Sequence, residues 1–144
     1  MQLINPESID KGAIHVVAAI IWKSDDRQTF LIARRQQGKH LAHYWELPGG
    51  KVEAGETRWQ ALQRELKEEI NILATAAEPY MQVYHPYADR NILLDVWQVT
   101  AYNGPVSARE QQQLTWINID QIDRYRFPPA DNPVLARISH QGAG

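Results

Sequence analysis

Three glutamates, Glu65, Glu68 and Glu69, crowd the stretch "RELKEEINI" at residues 64–72. In an α-helix, residues three and four apart lie on one side, so this spacing brings the three carboxylates within reach of each other. Like charges so placed oppose folding. A hard divalent cation resolves the conflict, because magnesium prefers oxygen ligands and commonly links carboxylates to substrate phosphates. The plainer alternative is a solvated acidic helix face. Two features favour the cation. The face adjoins an apolar stripe, and the preceding loop supplies a further acid, Glu56, with the glycine pair Gly49–Gly50. Arg64 stands four residues before Glu68, the spacing of an intrahelical ion pair that holds the carboxylate in place. Zinc is a poor match, since no His-Glu-x-x-His pattern occurs and the histidines are scattered.

These side chains need a helix to carry them. Thr57 followed by Gln60 has the form of a capping box, which predicts a helix starting near Arg58. Trp59, Leu62, Leu66 and Ile70 then form the core-facing stripe, while Gln60, Gln63 and Lys67 face water. Asn71 tolerates the left-handed conformation that often ends helices. Upstream, "AIHVVAAIIWK" (13–23) reads as a buried strand and "TFLIARR" (29–35) as its partner. "LPGGKVEAGE" (47–56) reads as irregular backbone. "YMQVYHPY" and "NILLDVWQVTAY" form a hairpin around "ADR", and "LTWINI" is another strand. Short helical pieces follow around Asp120–Tyr125 and Pro133–Ser139. The expectation is an α+β fold with helices packed on a mixed sheet.

Composition narrows the classes. The chain has 144 residues, the size of one domain, here 1–144 with a core of about 13–139. Its net charge of −2 gives no electrostatic case for a nucleic acid polymer or an acidic membrane surface. No apolar run approaches the ~18 residues of a membrane span. Cysteine is absent, which removes disulfides and thiolate chemistry and makes the cytoplasm the default compartment. No obligate protein partner is implied.

From Gly50 to Ile72 the sequence "GKVEAGETRWQALQRELKEEINI" resembles the Nudix box, G-x5-E-x7-R-E-U-x-E-E-x-G-U, with U aliphatic. Gly50, Glu56, Arg64, Glu65, Leu66, Glu68, Glu69 and Ile72 fall in register. Asn71 stands where the family usually has glycine, an exchange that preserves positive φ and should leave the chemistry intact. "ARRQQGKHLAHYWELPGGK" and "RFPPADNPVLARI" resemble stretches of MutT-type enzymes, so the likeness runs from about Ile14 to Ile138.

The resemblance implies an α/β/α sandwich with a mixed β-sheet and a catalytic loop-helix-loop. It implies hydrolysis of (modified) nucleoside triphosphates to monophosphate and pyrophosphate, with Mg²⁺ as cofactor and Mn²⁺ as a substitute. It makes Glu65, Glu68 and Glu69 metal-site residues, with Glu65 the first candidate to position or deprotonate water. Glu56 supports the metal shell, and the carbonyl of Gly49 or Gly50 is a further ligand. Glu110 aligns with an additional ligand or base; its plain reading is a solvated loop acid.

Arg35 and His40 match phosphate-contacting residues, although Arg35 beside Arg34 also reads as strand-end charge. Leu47, with Tyr44 or Trp45, is a candidate apolar wall for the base; Trp45 is equally explained by packing. Asp131 stands where the 8-oxo-dGTP-specific MutT carries asparagine. An ionised aspartate only accepts hydrogen bonds, which fits guanine, adenine or cytosine amino groups. Relatives acting on CTP and modified cytosine nucleotides also carry aspartate here. The expected substrates are therefore 8-oxo-dGTP, (d)CTP or modified cytosine nucleotides. The alternatives are another nucleoside diphosphate derivative, such as ADP-ribose or a dinucleoside polyphosphate, and a non-catalytic nucleotide-binding module.

Overall fold

A computed structural model describes residues 12–34, 43–110 and 112–143. Arg35 and His40 lie outside the described residues. Strand β1, Ile14–Ile21, is apolar except at His15 and is buried from Val17 onward, where both of its faces are covered. It pairs in parallel with β6 (Asn91–Asn103) and antiparallel with the short β4 (Gly49–Lys51); β5 (Leu73–Pro86) completes a mixed sheet in the order β4-β1-β6-β5. A second, antiparallel sheet has the order β3-β2-β7, from Trp45–Glu46, Thr29–Arg34 and Gln113–Asn118. Among the described residues, an isolated bridge between Trp22 and Phe30 joins the β1 and β2 ends of the two sheets.

Alternation along β1 divides the interior. Val17, Ala19 and Ile21 pack with Leu62, Leu66 and Ile70 of helix α1 (Arg58–Ile70). Ala18 and Ile20 belong to the opposite core, which holds Val134, Leu135 and Ile138 of helix α2 (Asn132–Ala143). Helices thus cover both faces of a mixed sheet, the α+β sandwich expected. No helix among the described residues is long and apolar enough to cross a membrane.

The central helix follows its sequence signals. Gln60 N–H donates to Thr57 Oγ1 at 3.1 Å and Thr57 N–H to Gln60 Oε1 at 2.9 Å, closing the capping box. Asn71 ends the helix at φ 62°, and the Ile72 N–H reaches back to the Leu66 carbonyl. Gln63 departs from its expected place in water: it donates to the Ala74 carbonyl at 3.0 Å and ties the helix to β5.

Strand β2 is not the partner of β1 that the sequence suggests: it pairs with β3 and β7 in the second sheet. Two other expectations need correction. The segment 47–56 is not irregular throughout, since Gly49–Lys51 forms β4 against Val16–Ala18. Of its glycines, only Gly55 has positive φ, at 84°. Gly49 is instead required by proximity: a Cβ there would stand 2.0 Å from the Val17 carbonyl oxygen. The other correction concerns β5, which begins at Leu73 rather than near Tyr80. It runs through Pro79 by a register shift between Pro79 and Met81, an irregularity that accommodates the missing N–H.

Candidate active site

The two sheets part below the Trp22–Phe30 bridge and leave a cleft of about 370 Å³. Ile14, Val16 and Ala18 of β1 line one wall with Ile92 and Leu94 of β6, and Arg34, Glu46 and Leu47 face them. Glu65 and Glu69 reach this cleft from α1 by passing over the edge strand β4. Gly50 makes room for Glu65, because a Cβ there would lie 2.3 Å from the Glu65 carboxylate. The Gly49 N–H donates to Glu69 Oε2 at 3.1 Å. The glycine pair therefore admits one strand and two carboxylates rather than simply a ligand.

The structure separates the three helix glutamates. Glu65 and Glu69 line the cleft, with Glu69 only 7% exposed, whereas Glu68 stands outside the lining. Glu68 is 57% exposed and accepts from Arg64 Nη1 at 3.2 Å. Glu56 also lies off the cleft. It takes both prongs of Arg64, with Nε to Oε2 at 2.7 Å and Nη2 to Oε1 at 2.9 Å. Arg64 further donates to Glu65 Oε1 at 2.9 Å and to the Lys51 carbonyl at 2.9 Å. One guanidinium thus neutralises much of the acidic face, with Glu56 rather than Glu68 as its closest partner. Such bidentate pairing is strong and directional, so it fixes the guanidinium that donates to Glu65.

Charge in the cleft is unbalanced. Burial pushes the Glu69 carboxyl up to about 8, and Glu46, Glu110 and Glu65 push the same way against the Gly49 N–H. Burial also raises Glu65, while its Arg64 partner opposes the shift. Arg64 holds Glu56 below the usual carboxylate range. Glu110 and Asp131 both line the cleft, and Asp131 is buried.

Among the described residues, no three acids or histidines converge closely enough to ligate one ion alone. The donors nevertheless fit a hard divalent cation. Magnesium usually takes one or two carboxylates, water and substrate phosphate oxygens rather than a complete protein cage. Buried Glu69 and half-buried Glu65, set against the Gly49–Gly50 backbone, are that kind of partial set.

Of the three residues considered for a base wall, Leu47 lines the cleft and its aromatic neighbours pack elsewhere. Trp45 packs edge-on against Tyr125 with centroids 5.4 Å apart, and Tyr44 lies under Arg126. Neither lines the cleft; Leu47 is joined there by Val16, Ile92 and Leu94. Sequence reasoning missed Glu46, Tyr87, Arg90 and Gln112, all of which line it. Glu46 was within reach: it immediately precedes Leu47 and the glycine pair.

Residues 17–137 match the NUDIX domain family, and the chain belongs to that family. It is 38% identical to an 8-oxo-dGTP diphosphatase of Haemophilus influenzae, covering 92% of this chain and 96% of the relative. It is 39% identical to a CTP pyrophosphohydrolase of Escherichia coli, covering 85% and 88%. Among solved structures, a MutT described for Aliivibrio salmonicida and Vibrio cholerae superposes with TM-score 0.78 at 40% identity, covering 90% of this chain and 98% of that one. The Escherichia coli ORF135 protein does so with TM-score 0.75 at 39% identity, covering 86% of each.

Proposed function

We propose that this chain is a pyrophosphohydrolase of the nucleotide pool. It would act as a single Nudix domain in the cytoplasm and cleave modified nucleoside triphosphates to monophosphate and pyrophosphate. The observation that carries this reading is the cleft: an apolar chamber bordered by Asp131 opens onto Glu65 and Glu69. Its volume lies in the usual range for small-molecule sites. The names carried by the relatives support the same chemistry.

Each residue has a distinct task. Glu65 is half-buried, held by Arg64 and raised in pKa, which suits a carboxylate that orients water and takes its proton. Glu69 and Glu65, with Glu68 at the rim, Glu110 and a Gly49 or Gly50 carbonyl, would hold Mg²⁺, with Mn²⁺ as a substitute. The bound ion would neutralise the polyphosphate and lower the barrier to water attack. Glu56 and Arg64 keep the helix face in register, and Arg35 and His40 are assigned to phosphate. Water adds across one phosphoric anhydride bond, and pyrophosphate is the leaving product.

Leu47 supplies apolar surface for the base. Asp131 accepts from a base amino group, which favours cytosine and its modified forms while retaining 8-oxo-dGTP as a substrate. A panel of 8-oxo-dGTP, CTP, dCTP, methylated dCTP and ADP-ribose with Mg²⁺ tests the reading by pyrophosphate release. Triphosphates should be cleaved and ADP-ribose spared, with all turnover stopped by EDTA. Preferential cleavage of ADP-ribose, or activity that survives EDTA, would overturn it. Asp131→Ala should reorder the bases more than it slows the best one; an unchanged order removes Asp131 from the base pocket.

A further inference from the structure

The loop between β6 and β7 is fastened to the end of α1 at several points. The Ser107 N–H donates to the Ile70 carbonyl at 2.9 Å, and the Arg109 N–H to the Glu69 carbonyl at 3.0 Å. These carbonyls lie in the last helical turn, where no intrahelical donor remains for them. Gly104 presses against Ile72 so closely that a Cβ would come within 2.7 Å of its Cγ2. Arg109 also donates from its side chain to Asn71 Oδ1 at 3.3 Å. Asn71 therefore contributes a side-chain tie that the family's usual glycine cannot.

Gln112 completes the attachment in a particular way. Its Nε2 donates to the Glu69 carbonyl at 3.0 Å, while its Oε1 accepts from the Glu110 N–H at 3.0 Å. One side-chain amide thus spans the backbones of two cleft residues. Those residues come from separate parts of the chain, and both carry carboxylates into the same space. We propose that Gln112 is a positioning residue, whose amide sets where the Glu110 carboxylate stands relative to Glu65 and Glu69.

This inference rests on Glu110 serving the reaction as proposed above. If Gln112 acts through Glu110, removing the amide should change metal use and turnover rather than nucleotide affinity. Gln112→Met keeps the side-chain length and loses both hydrogen bonds. Gln112→Asn keeps the amide but falls one methylene short of spanning the two backbones.

The experiment measures steady-state pyrophosphate release from the best substrate of the panel against Mg²⁺ concentration. It compares the wild type, Gln112→Met, Gln112→Asn, Glu110→Gln and the Glu110→Gln/Gln112→Met double variant, each checked for folding by circular dichroism. Either Gln112 variant should lower kcat by about tenfold, the effect of losing a bridging pair of hydrogen bonds. The Mg²⁺ concentration for half-maximal rate should rise, with nucleotide KM within about twofold of wild type. In the Glu110→Gln background, Gln112→Met should add little. Full additivity in the double variant, or unchanged kcat and Mg²⁺ dependence in folded Gln112 variants, overturns the proposal while leaving Glu110 in its role. Full activity in Glu110→Gln instead removes Glu110 from the reaction, and the proposal falls with it.

Discussion

Replacing Glu69 by glutamine should stabilise the metal-free protein, and the gain should depend on pH. Glu69 is buried beside other carboxylates, and its carboxyl is raised from the ordinary 4.5 to about 8. Below about pH 4.5 the group is protonated in both the folded and the unfolded chain, so it adds no penalty. As pH rises, the unfolded chain loses this proton while the folded chain keeps it, and stability falls until about pH 8. At about 1.4 kcal/mol per pH unit, the full cost is roughly 5 kcal/mol. Glutamine has no such charge, and its carbonyl can still accept from the Gly49 N–H. Urea unfolding in EDTA, followed by tryptophan fluorescence, should therefore show little difference near pH 4.5 and a gap approaching ~5 kcal/mol near pH 8. Added Mg²⁺ should narrow the gap by stabilising only the wild type. A gap that is flat across this range would refute the claim that an uncompensated carboxyl is buried here.

Other substitutions probe the rest of the site. Glu65→Gln should lower kcat by at least ~100-fold while the protein still folds and binds nucleotide, because it removes the carboxylate proposed above to take the proton from water; equilibrium binding alongside turnover checks both halves. Arg64→Lys should cost about 2–4 kcal/mol of stability and reduce kcat, since an ammonium cannot reproduce the fork to Glu56 with the contacts to Glu65 and Lys51. Thermal denaturation and steady-state kinetics measure these effects. Asn71→Ala should be less stable than Asn71→Gly by about 1 kcal/mol in the same melting assay, because both lose the Oδ1 contacts but only alanine is unfavourable at φ 62°.

The sequence exposed the local structure better than the meeting of distant segments. Helix α1, its cap at Thr57 and its stop at Asn71 follow from short-range rules, and the structure has all three. The helix projection also put the glutamates beside the core. It could not tell that β4 would cover part of that face, leaving Glu65 and Glu69 in the cleft and Glu68 in solvent. Arg64 shows the same limit: intrahelical spacing names Glu68, yet a loop carboxylate eight residues away, Glu56, makes the shorter bond. Gly49 lies in a stretch that reads as irregular backbone, but its requirement comes from contact with β1, which is settled only once the strands pair. Gln112 carries no signal in its own neighbourhood, because its partner at Glu69 lies in another element.

The bridge between Trp22 and Phe30 has a consequence for how this cleft can be retuned. The two rings meet edge-on with centroids 5.7 Å apart, and the indole N–H is fixed to Gln98 at 2.9 Å. They bridge the two sheets at a point outside the cleft lining. They belong to the same apolar cluster as Ala18, Leu47 and Leu94, so a change in their bulk would press on the cleft wall from behind. The width of the cleft is therefore open to adjustment from positions that do not line it and that lie apart from Glu65 and Glu69.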